Sequence, residues 1–163
     1  MTRYEKTKAA ILAAIEAADP GAKVYDRWRY PKDTSYEAWL NLFGVGQKIQ
    51  GWCFSRTGVP QTKDFSAGTG RGNIISIQET WLINGWRTWV DQPPTEYDFQ
   101  NIVDAVVSQL RQNTAILNLL KGAGGAAVDS IRVDTIDETQ FAGERYAHHA
   151  QISLIITYPR IQA

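Results

Sequence analysis

The chain has 163 residues, 44% of them apolar and 21% charged, which suits one globular domain and leaves no segment polar enough for extended disorder. Its 17 Lys and Arg balance 17 Asp and Glu, so no net field draws a nucleic acid or an anionic membrane surface. Cys53 is the only cysteine, which excludes an internal disulfide and fits a reducing compartment.

Met1 to Glu5 leads straight into an amphipathic pattern, so no export by a signal peptide is expected. The apolar runs are too short to cross a bilayer. Thr2 and Glu5 have capping-box spacing, and Ile11, Leu12, Ile15 and Ala18 share one face, which predicts a helix from Thr2 to Ala18. Asp19, Pro20 and Gly21 stop it. Lys23 to Trp28 is a short strand candidate. Thr34 and Glu37 form a second capping box, opening a helix through Trp39 and Phe43 that Gly44 ends in a left-handed conformation.

Alternation from Gln47 to Arg56 predicts a strand, with Trp52 and Phe54 on one face and Ile49 and Cys53 on the other. Thr57 to Asn73, with its four glycines, is expected to be an irregular loop. A second strand runs from Ile74 to Trp86, where Glu79 is the polar member of an otherwise apolar face and needs a partner. Steps of three and four through Phe99, Ile102, Val103, Val106, Val107 and Leu110 predict the main packing helix, extended through Ile116 to Leu120. Ser130 to Ile136 and Arg145 to Tyr158 are two further strands, joined by a loop from Asp137 to Glu144. The expected fold is α+β, a single domain over 1–163 with an antiparallel sheet of about four strands and helices packed on one face.

No constellation predicts catalysis, a cofactor or a metal. Gly68, Gly70 and Gly72 precede a strand, whereas a phosphate loop needs a helix N-terminus. His148 and His149 are adjacent in a strand, so they point to opposite faces and cannot chelate one ion. Glu79, Asp98 and Asp104 are scattered over different elements, with no acid–base pair set by spacing. Two features remain as candidate contacts. A 17-residue loop in a compact domain is usually functional, which marks Lys63, Asp64, Phe65 and Arg71 as a partner-docking segment. Trp81, Trp86 and Trp89 are candidate interface aromatics; the alternative is a stacking platform for a carbohydrate or single-stranded nucleic acid.

The order of elements resembles the tail terminator, or tail completion, proteins of long-tailed bacteriophages. The similarity runs through Trp81, Ile83, Gly85 and Trp86 to Phe99, Ile102 and Val103, and through His149, Gln151, Ile152, Ser153, Leu154, Ile155 and Ile156. The resemblance implies a non-enzymatic virion protein, assembled in the host cytoplasm, that forms a homohexameric ring on the tail tube. Such a ring ends tail polymerisation and supports head-tail joining at the neck. Its implied partners are the tail tube protein, the head connector or neck protein and, in contractile tails, the sheath protein, with DNA only in transit through the lumen and no membrane. Another neck or connector protein is the nearest alternative.

Overall fold

The computed structural model describes residues 2–58, 61–65, 74–90, 95–122, 125–141 and 145–159. The fold is α+β. Helix α1 (Arg3–Ala18) opens with the expected capping box, Thr2 accepting from the Glu5 amide and Glu5 answering the Thr2 amide. It is followed by β1 (Lys23–Tyr25), α2 (Tyr36–Phe43), β2 (Gly44–Val45), β3 (Lys48–Arg56), β4 (Gln61–Phe65) and β5 (Ile74–Thr88). The chain then forms α3 (Glu96–Gln112), α4 (Thr114–Lys121), β6 (Ala127–Phe141) and β7 (Arg145–Pro159). The sheet runs β1-β3-β5-β7-β6, with β2 added to β3 and β4 to β5. The long strands β3, β5, β6 and β7 are its antiparallel frame, and among the described residues only the short β1–β3 pairing is parallel.

Alternation along the frame splits its side chains between two cores. On the first face Trp52, Phe54, Trp81, Ile83, Ile152, Leu154 and Ile156 meet the apolar stripes of α1, α3 and α4. On the second face Ile49, Cys53, Trp86, Phe141 and Ala147 lie beneath Trp39 and Phe43 of α2. Three helices therefore share one face, as expected, while α2 covers part of the other. Glycines make room for the aromatics at two points. A Cβ on Gly85 would sit 2.4 Å from the Trp52 ring, and one on Gly51 would sit 2.5 Å from Phe43.

Several boundaries differ from the sequence expectation. Ser35, not Thr34, caps α2, taking the Ala38 amide, while Asp33 holds the Ser35 amide. Gly44 is extended rather than left-handed (φ −75°). Its glycine is demanded by the Leu40 carbonyl oxygen, 2.1 Å from where a Cβ would be. The packing helix breaks at Asn113, whose side chain accepts from the Ala115 and Ile116 amides and starts α4 afresh. The expected loop from Thr57 to Asn73 contains β4, paired in register from Gln61↔Gln78 to Phe65↔Ile74; residues 59–60 and 66–73 lie outside the described residues. The expected loop from Asp137 is a continuation of β6 as far as Phe141. Being an edge strand exposed along most of its length, β6 needs no apolar alternation there, so the signal is missing.

Candidate docking surfaces

Glu79, 1% exposed, lies on the first face beneath the start of α1. Arg56 donates to it at 3.1 Å and the Tyr158 hydroxyl at 3.2 Å, while Arg3 approaches to 3.7 Å. The Thr7 hydroxyl completes the cluster at 2.5 Å from Tyr158. Burial pushes the Tyr158 phenol up to about 12, so it stays a donor. At the other end of α1, Asp19 accepts from Trp52 Nε1 at 2.9 Å, Gln50 Nε2 at 2.8 Å and Arg87 Nη1 at 3.3 Å. Both carboxylates thus pin α1 to the sheet. Cys53 is buried, which pushes its thiol up to about 11 and keeps it from acting as a nucleophile.

The two histidines lie on opposite faces, as adjacent strand residues must. His148 is buried against Phe99 and shares a 2.9 Å hydrogen bond with Thr95. Burial holds its pKa below the usual imidazole value, offset in part by Glu138 and Glu96. His149 is half-buried: it stacks on Trp86, with Nδ1 2.7 Å from Asp137 and Nε2 3.1 Å from Asn84 Oδ1. Asn84 Nδ2 is buried with no hydrogen-bond partner among the described residues. Among the described residues no group of three or more His, Cys, Asp or Glu is placed to hold a metal ion.

The candidate aromatics do not form one surface. Trp81 is fully buried on the first face, stacked under Tyr4 with centroids 5.3 Å apart. Trp86, 1% exposed, is on the second face between Trp39 and Phe43. Freeing either ring would give up roughly 2–3 kcal/mol or more of apolar burial, so neither is available to a neighbouring copy or a ligand. That corrects their assignment as interface aromatics and removes the three-tryptophan platform. Trp89 alone is half-buried, edge-on to Tyr146, beside a cleft of about 610 Å³ that Tyr36 and Arg145 also line. Lys63, Asp64 and Phe65 of the expected docking segment are in β4, opposite Ser76, Ile75 and Ile74; Arg71 lies outside the described residues.

Among the described residues the sheet has exposed margins at β1 and at β6. At one edge, after the three residues of β1, come the exposed Arg27 and then Trp28 and Tyr30, stacked on each other and 45% and 56% exposed. At the other edge β6 pairs, among the described residues, with β7 alone and exposes Asp129, Arg132, Ile136, Asp137 and Glu138. Sequence reasoning missed both edges. The signal available was the charge bias, with Lys23, Arg27, Arg29 and Lys32 in one stretch and Asp129, Asp134, Asp137 and Glu138 in the other. No described helix is long and apolar enough to cross a membrane. Compared with profiles of known protein families and with curated proteins, the chain matches none.

Proposed function

We propose that this chain is a structural virion protein that caps the tail tube as a homohexameric ring, ends tail polymerisation and offers the docking surface for the head connector or neck protein. The observation that carries the reading is the layout. An N-terminal helix, an antiparallel strand pair, a packing helix and a terminal hairpin of two 15-residue strands occur in the order on which the resemblance to tail terminators rests. Two further features support it. The buried carboxylates are each engaged by several donors, those on Asp19 fastening α1 to the sheet and those on Glu79 joining β5 to β3 and β7, which is structural work. The sheet also leaves two dissimilar edges exposed, and a cyclic ring is built by repeating one contact between two dissimilar surfaces until the rotation closes.

In this reading the tail tube protein meets one rim of the ring and the connector the other, and DNA passes through the lumen without being held. The test is mass in solution together with particle morphology. Native mass spectrometry at high protein concentration should give six copies, and particles made without the protein should carry tails of uncontrolled length that fail to join heads. A monomer at every concentration, with normal tails formed in its absence, would overturn the proposal.

A further inference from the structure

We propose, resting on the ring reading above, that neighbouring copies dock head to tail, the basic β1 edge of one copy seating in an acidic cleft beside β6 of the next. On the β1 edge Lys23 and Arg27 are exposed, and neither meets a carboxylate among the described residues. Asp26, between them, is already held by Lys8 at 2.7 Å, so the patch keeps its positive charge. The exposed ring of Trp28 follows directly.

On the opposite edge a cleft of about 350 Å³ opens between α3 and β6. Glu96, Asp137 and Glu138 line it beside Ile136, which is 43% exposed. Asp137 is engaged by His149, whereas Glu96 and Glu138 have no cationic partner among the described residues. Each edge therefore pairs unanswered charge with an exposed apolar side chain, and the two are opposite in sign. A guanidinium entering a part-buried cleft of carboxylates forms charge-assisted hydrogen bonds, and Trp28 against Ile136 would remove apolar surface from water beside them.

The two patches cannot satisfy each other within one copy. Four strand spacings separate β1 from β6 along the sheet, roughly 19 Å at about 4.8 Å each. An acidic protein would suit the β1 edge alone and a basic one the β6 edge alone; a second copy of this chain suits both at once. The contact runs through side chains and not through strand addition. The register of β6 slips between Val128 and Ser130 and again between Val133 and Thr135, and such irregularities together with edge charges blunt a strand against pairing.

The test uses two charge-reversed variants that spare Asp137, since it holds His149. One carries Lys23→Glu with Arg27→Glu, the other Glu96→Lys with Glu138→Lys, and circular dichroism checks that each is folded. By sedimentation velocity each variant alone should need at least about tenfold more protein than wild type to assemble. Mixed in equal amounts they should assemble again, because the reversed edge of one then complements the reversed edge of the other in an alternating ring. Wild-type rings that persist unchanged in either folded variant, or a mixture that stays monomeric, would overturn this docking mode while leaving the ring reading intact. Wild-type protein that is monomeric at its highest soluble concentration, and on tail tips, would overturn both.

Discussion

At the residue scale, Glu79 was legible as a problem before its solution was visible: a carboxylate on an otherwise apolar face of β5 needs a partner. That its partners are Arg56, Arg3 and Tyr158 depends on pairings 23 to 79 residues away in sequence, which local pattern does not encode. Because both arginines are over a third exposed, removing the carboxylate lets them return to water. Glu79→Ala should therefore cost about 1–3 kcal/mol in urea unfolding, less than the 3–5 kcal/mol typical when a fully buried charge is orphaned. His148 sets a pH dependence with a defined sign. Its folded pKa is lowered below the ordinary value of 6.5, so as pH falls through about 6.5 the unfolded chain takes up a proton that the native state refuses. Stability should drop over that window, cease to change once the folded pKa is passed, and be indifferent to His148 above neutrality. The urea midpoint of His148→Gln, followed from pH 7.5 to pH 5, should show a flatter profile than wild type. An identical profile would assign the acid sensitivity elsewhere.

At the element scale, the helices and the four long strands were readable because each buries one face and so repeats its apolar residues at 3.6 or 2. What escaped were elements with no such need. β4 reads Gln61, Thr62, Lys63, Asp64, Phe65 and is held by its ladder to β5, and the distal part of β6 is polar on an edge. The second core was missed for a related reason: Trp39 and Phe43 are spaced for one face of a helix, but nothing in that spacing says on which side of the sheet α2 will lie. Close packing across the β3–β5 pair gives a sharp expectation at Gly85. An added methyl there would overlap the Trp52 indole, a rigid ring fixed at its Nε1 by Asp19, so Gly85→Ala should destabilise by about 1–3 kcal/mol or more. Gly58→Ala, whose Cβ would meet nothing closer than 3.8 Å, is the matched control and should change the thermal midpoint little.

At the scale of the whole molecule, the candidate surfaces were less legible than the fold, because an edge is defined by strand order and strand order is non-local. Lys63, Asp64 and Phe65 were singled out as part of a loop and turn out to extend the sheet, which changes what their removal should do. Joining Gly58 directly to Ile74 deletes β4 and turns residues 74–79 into the return to β3, while the stretch of β5 from Trp81 onward keeps every partner on β3 and β7. The shortened protein should keep its far-ultraviolet circular dichroism spectrum and, on the proposed role of this segment, fail to join heads to tails in an assembly assay. Normal infectious particles would show the segment to be a passive connection. The strand order has one more consequence. β7 is the last of the described strands, yet it lies between β5 and β6, and its pairing with β5 joins residues as far apart as Ser76 and Pro159. A chain emerging from the ribosome therefore carries β5 and β6 as open edges until β7 is released, and the central ladder can close only then. Chains cut after Phe141 should remain protease-sensitive at every length tested, with resistance appearing in one step once β7 is present. The interval before that step is when this protein is most exposed to misassembly, and when a holding chaperone would have most to do.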